Sequence, residues 1–148
     1  MKPLVVNRRA RFEYELLERF EAGLALTGSE VKSIRDGRAN LQDGHVEFAG
    51  GEAFLVGVHI SPYPNAGYAN HDPVRRRKLL LHRREIRRLA GKVAEKGLTV
   101  IPLALVQAGN WLKVELALAR GKKLHDKRET LRRRTMDREA EAAVKQLG

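Results

Sequence analysis

Asn7-Arg8-Arg9 places an amide, which can read a base edge, beside two cations, which can hold phosphates. A second cationic string, Arg75-Arg76-Arg77-Lys78, is followed by Arg83, Arg84, Arg87, Arg88 and Lys92. Arginine forks onto phosphate oxygens and stacks on exposed bases, so these strings point to a polyanion that carries bases. Trp111 and Lys113 are two apart and share one face of an expected strand, where a Trp either stacks on a base or packs half-buried. Glu21, in Phe20-Glu21-Ala22-Gly23, is an odd neighbour for phosphates. It can cap a backbone amide, orient an arginine, or accept from a base amino or imino group.

Catalytic chemistry finds no footing. Gly91-Lys92 and Gly121-Lys122 lack the upstream glycine of a phosphate loop, and no Gly-x-Ser-x-Gly elbow occurs. His45, His59, His71, His82 and His125 show no helical metal spacing, and there is no Cys to act as nucleophile or thiolate ligand. His71-Asp72 reads as a loop cap before it reads as a ligand pair, and Glu13 and Glu15 alternate as a solvated strand face. The expectation is a binding protein with no cofactor, no metal and no enzymatic activity.

The net charge is +11 over 148 residues, and it is concentrated. Residues 1–74 carry a net −2, residues 75–96 a net +8, and residues 121–148 a net +4. Two basic blocks argue for two binding surfaces where scattered charge would argue only for solubility. No run of about 18 apolar residues is present, and the opening apolar run is too short for a secretory leader, so a cytoplasmic protein that does not use a membrane is expected.

The elements that must carry these residues follow from periodicity. Phe12, Tyr14 and Leu16 alternate with Glu13 and Glu15, so residues 11–20 read as a half-buried strand that continues past Gly23. Thr27 and Glu30 have capping-box spacing before Val31 and Ile34, and Gly37 ends that helix. Val46 and Phe48, the turn Gly50-Gly51, and Phe54, Val56, Val58 and Ile60 on one face read as a hairpin. Residues 61–74, with three prolines, read as a loop. A helix is expected over residues 79–96 with Ile86, Leu89, Ala90 and Val93 inward and Gly97 as terminator. A second hairpin spans Val100 to Leu118 about Ala108-Gly109-Asn110, with Pro102 suited to a strand edge. About six strands with peripheral helices imply a mainly β fold, an OB-like closed antiparallel barrel over residues 1–120. Residues 121–148 form a basic tail. Its Met136, Ala140, Ala143, Val144 and Leu147 make a helical stripe without a core of its own, so it is expected disordered alone and helical against a partner.

Seven strings in order bring a resemblance with them. They are Asn7-Arg8-Arg9-Ala10-Arg11, Phe20-Glu21-Ala22-Gly23-Leu24-Ala25-Leu26, Gly28-Ser29-Glu30-Val31-Lys32-Ser33, Asn70-His71-Asp72-Pro73, Arg77-Lys78-Leu79-Leu80-Leu81-His82, Lys113-Val114-Glu115, and Ala119-Arg120-Gly121-Lys122-Lys123 with His125-Asp126-Lys127-Arg128. Over roughly residues 7 to 130 the chain closely resembles the SmpB family, the SsrA-binding proteins of bacterial trans-translation. The resemblance implies an OB-like barrel that binds the tRNA-like domain of transfer-messenger RNA and delivers it to stalled 70S ribosomes. It implies a tail that enters the vacant message channel near the decoding centre. Alanyl-tRNA synthetase and elongation factor Tu would act through the RNA, and the protein would be a monomer. RNA contacts are implied at Asn7, Glu21, Lys78, Leu80 and Lys113, with Arg8, Arg9 and Leu79 beside them and Lys122 and Lys123 starting the bridge to the tail. Asp126, Lys127 and Arg128 are implied in engaging the ribosome, with Arg132, Arg133 and Arg134 against its RNA walls. His45 departs from a common Tyr, and Val106-Gln107 from a common aromatic pair. The rival reading, a ribosomal or generic RNA-binding OB protein, explains the charge and the barrel but not the tail.

Overall fold

The computed structural model describes residues 2–122. Lys123, Asp126, Lys127, Arg128, Arg132, Arg133, Arg134 and the apolar stripe of the tail therefore lie outside the described residues. In chain order the elements are β1 (Lys2–Val6), α1 (Ala10–Glu13), β2 (Tyr14–Leu24), α2 (Gly28–Arg35), β3 (Ala39–Asn40), β4 (His45–Ala49), β5 (Glu52–Val56), β6 (His59–Ile60), β7 (Arg77–Leu80), α3 (Arg83–Lys96), β8 (Thr99–Ala108) and β9 (Trp111–Gly121). The fold is mainly β. One antiparallel sheet has the order β1-β8-β9-β2-β7-β5-β4, and β3 pairs with β6 in a small second ladder.

The expected closed barrel is corrected to an open ladder with β1 and β4 at its two ends. β4 does come back to pack against β8, but without backbone pairing. Gly44 lets the two approach: an added Cβ would lie 2.8 Å from Pro102 Cγ and 2.7 Å from Val58 Cγ2. Pro102, which has no N–H to donate, stands at a bulge of β8 beyond the stretch that β1 covers. Side chains thus fill the gap that a barrel would close with hydrogen bonds. Ile34, Leu55, Ile60, Leu79, Leu89, Leu105 and Leu116 are fully buried in the core this encloses.

Local signals decide where the pattern reading holds. Both halves of the capping box form: Glu30 N–H donates to Thr27 Oγ1, and Thr27 N–H donates to Glu30 Oε1 at 2.8 Å. Gly37 ends α2 with φ +71°. Three expectations shift. Residues 10–13 form α1 rather than the start of a strand, because Phe12 and Glu13 N–H donate to Arg9 O and Ala10 seals a small outer cluster with Ile101, Leu103, Ala117 and Ala119. Phe54 and Val56 do not share a buried face with Val58 and Ile60: Ala53 and Leu55 point inward, then Gly57 at φ +73° resets the phase. A side chain at Gly57 would meet Asp43 O at 2.5 Å. Leu79 and Leu80 belong to β7, and the helix expected from residue 79 starts at Arg83.

Candidate nucleic-acid interface

The strand character of residues 77–80 arranges the site. Along β7, Arg77 and Leu79 point inward while Lys78 and Leu80 point outward. β2 is the neighbour of both β7 and β9, with Gly23 opposite Leu80 on one side and Lys113 on the other. Glu21 lies two pairs further along, opposite Glu115, with Lys113 Nζ 4.0 Å from its Oε2. Leu80 is 58% exposed between these charges. Leu80, Glu21, Gly23 and Lys113 line one depression of about 170 Å³. Beside it, a groove of about 670 Å³ separates the Gly50-Gly51 turn from the first turns of α3 and is lined by Lys78, Leu80, Arg83 and Arg87. Lys78 Nζ stands 3.1 Å from Glu52 Oε1, and the Arg76 guanidinium lies over the Phe54 ring at 3.9 Å. An apolar platform framed by half-exposed cations suits an unstacked base with its phosphates, and Glu21 can accept from a base edge.

Four sequence-expected residues, Glu21, Lys78, Leu80 and Lys113, are thus brought to one outer face. Leu79 is not: it is 1% exposed and packs in the core, so its expected RNA contact is corrected to a structural one. Asn7, Arg8 and Arg9 line a separate depression with Ala39, Asn40 and Gln42. Asn7 is turned into the fold. Its Nδ2 donates to Pro102 O at 2.9 Å and Leu41 O at 3.4 Å, tying the end of β1 to β8. Arg8 is exposed, and Arg9 is shared with Glu13 at 3.6 Å. Lys122 continues beyond β9 with its N–H on Glu13 O and its Nζ on Arg11 O. Trp111 is 75% exposed at the hairpin end, which overturns half-buried packing.

The basic string 75–78 divides. Arg77 is fully buried; its Nε and Arg75 Nη2 bond the two carboxylate oxygens of Glu30, itself buried. Arg77 also donates to Val58 O at 2.8 Å and Pro73 O at 3.1 Å. Burial pushes the Glu30 carboxyl up, but hydrogen bonds from Arg75, the Thr27 N–H and Arg77 outweigh it and hold the group below the usual range. Burial pulls the Arg77 guanidinium down against the lift of Glu30. His71 joins the anchor, with Nδ1 2.8 Å from Ser29 Oγ and Nε2 2.9 Å from Ile60 O, so His71 is a loop fastener. On α3, Arg88 forks onto Glu18 at 2.8 and 2.9 Å, and this hydrogen-bonded pair lowers the carboxyl and raises the guanidinium. Gly23 is the site residue that sequence reasoning passed over; its signal was a glycine inside a long strand pattern. Among the described residues no three His, Asp or Glu side chains converge as a metal site would need.

A family model described as SmpB protein matches residues 4–146. An SsrA-binding protein of Acaryochloris marina is 60% identical over 140 residues, covering 94% of this chain and 91% of that protein. One from Nostoc punctiforme is 56% identical over 145 residues, covering 97% and 94%. A solved structure described as "tmRNA-SmpB: a journey to the center of the bacterial ribosome" superposes with a TM-score of 0.71 at 50% identity, covering 88% of this chain and 96% of that one. With the model matched from residue 4 to residue 146, the chain belongs to the SmpB family.

Proposed function

We propose that this protein binds the tRNA-like domain of transfer-messenger RNA and carries it to stalled ribosomes for trans-translation. The observation that carries the reading is the row across β7, β2 and β9, where the exposed Leu80 lies between Lys78, Lys113 and Glu21. The relatives named as SsrA-binding proteins and the tmRNA–SmpB solved structure support the choice of RNA and of the ribosome as partners. The role is binding and delivery, with no catalytic step assigned to the chain. The scaffold reads as OB-like, a coiled antiparallel sheet in which β4 packs back on β8. The basic tail, with Lys123, Asp126, Lys127, Arg128, Arg132, Arg133 and Arg134, serves the ribosome rather than RNA capture.

The test is titration of the full chain with the tRNA-like domain at several salt concentrations. Affinity falls with a log–log slope of roughly −0.7 to −0.9 per phosphate contact. Equal affinity for an unrelated structured RNA of the same length overturns the reading.

A further inference from the structure

Gly23 lies within β2, one residue from its end, with a register partner on each side: Leu80 on β7 and Lys113 on β9. Glycine there weakens a strand through backbone entropy and the absent side chain, so a reason for it is needed. The backbone supplies none. Among the described residues the glycines with positive φ are Gly37, Gly50, Gly51, Gly57, Gly67, Gly97 and Gly109, and Gly23 is not one of them. Its conformation is one that any residue adopts. What Gly23 lacks is used as space. A Cβ built on it would lie 3.2 Å from Leu80 Cδ1, 3.3 Å from Leu80 Cβ and 3.6 Å from Leu80 Cγ. All three nearest atoms belong to Leu80. The Leu80 side chain therefore lies across the bare backbone of Gly23, toward Lys113 on the next strand.

We infer that Gly23 is the positioning residue for Leu80 in RNA recognition: its missing side chain seats the leucine flat against the sheet, where it forms the apolar platform between Lys113 and Lys78. This rests on the RNA-binding reading above and assigns a residue that touches no RNA itself. A methyl at position 23 meets Leu80 Cδ1 at 3.2 Å and Leu80 Cβ at 3.3 Å, so the leucine shifts or turns by a few tenths of an ångström while the strand pairing stays. An exposed aliphatic side chain off its seat presents an uneven surface to a base, and apolar contact scales with the area removed from water.

The test uses the full chain, a synthetic tRNA-like domain of transfer-messenger RNA, and an unrelated hairpin of equal length as reference. Wild type, Gly23→Ala, Leu80→Ala and the double variant are compared by circular dichroism, leucine-methyl NMR without RNA, and RNA titration. Gly23→Ala is expected to keep the fold, move the Leu80 methyl resonances, and weaken RNA binding severalfold, by no more than Leu80→Ala does. The double variant is expected to bind no more weakly than Leu80→Ala, since no leucine remains to displace. Wild-type affinity in Gly23→Ala, unmoved Leu80 methyls, or losses that add in the double variant overturn the inference. Should Gly23→Ala alone fail to fold, recovery of the fold in the double variant supports the contact, and no recovery overturns it. Failure of the underlying reading looks different: the wild-type chain itself then binds the tRNA-like domain no more tightly than the reference hairpin, and the role of Gly23 falls with it.

Discussion

Arg77 and Lys78 are adjacent cations with opposite fates. Arg77 faces inward, is fully buried, and shares Glu30 with Arg75. Lys78 faces outward, its ammonium half-exposed beside an equally exposed Glu52. Leu79 and Leu80 repeat the division, one in the core and one 58% exposed. One strand therefore builds two regions of different physics: an inner anchor of satisfied charge and an outer platform of loosely held charge and bare apolar surface. A run of basic residues is thus not one surface; the pleat sorts it residue by residue.

The sharpest way to break the comparison is to cut the inner region alone. Arg77→Ala leaves Glu30 buried with one cationic partner fewer, takes the guanidinium from Val58 O, and leaves Pro73 O with the Ile60 N–H. Breaking one side of a buried ion pair is expected to lower stability by about 3–5 kcal/mol. Urea denaturation checks this, and the loop at residues 61–74 should lose amide protection first because Arg77 holds Pro73 O. Lys78→Ala, on the same strand, is expected to change stability by less than about 0.5 kcal/mol.

Acid probes the same anchor more gently. The Glu30 carboxyl titrates below its ordinary value in the folded protein. A depressed carboxylate contributes stability that is fully present above its unfolded pKa, about 4.3, and is lost as pH falls through the folded value. Wild-type stability is therefore expected to decline below about pH 5. Glu30→Gln should be less stable at neutral pH and show a shallower acid decline. A wild-type and a Gln variant with parallel pH profiles would remove Glu30 from the account of acid sensitivity. Glu18 is also depressed, but its pair with Arg88 stands in solvent, so its share is small.

The outer region is broken by Leu80→Asp. Its side chain is exposed, so folding is expected to change by less than about 1 kcal/mol while RNA binding weakens by roughly 1–3 kcal/mol. Titration of the folded variant with transfer-messenger RNA measures it. The result opposite to Arg77→Ala, stable but weakly binding, is the one that separates the two regions.

Much of this was legible beforehand because it is local. The capping box of Thr27 and Glu30, the glycine stops at residues 37 and 97, and both hairpin turns depend on near neighbours. What was hidden depends on tertiary partners. The parity of residues 77–80 is a strand pattern four residues long, too short to outweigh the helical spacing of Ile86, Leu89 and Val93 beside it. At Gly57, where the phase resets, Asp43 O, distant in sequence, comes close enough to leave no room for a Cβ. Asn7 looked like a base reader because its type allows it, and only the carbonyls of Pro102 and Leu41 reveal the other use. Glu21, Lys78 and Lys113 stood out by residue type and Leu80 through family resemblance; their meeting on one face follows from the register of β2 with β7 and β9.

The smallest expected effect lies between the two regions, on α3. Arg87 lines the groove without belonging to the platform, and Arg88 on the next position is forked onto Glu18. Arg87→Ala removes one cation from the groove wall. RNA binding should weaken slightly at low salt, and the log–log salt slope should become shallower by about 0.7–0.9, one counterion's worth. Its effect on stability should stay within about 0.5 kcal/mol. Arg88→Ala is the companion measurement. Its guanidinium is already engaged by a carboxylate, so the salt slope should move less, while stability drops by roughly 0.2–1 kcal/mol with the exposed pair. Both variants keep RNA affinity well above that of Leu80→Asp, because neither touches the seat of the leucine. If Arg87→Ala instead matched Leu80→Asp in its loss and left the salt slope unchanged, the groove beside α3 would be the specific site, and the outer platform would be only its border.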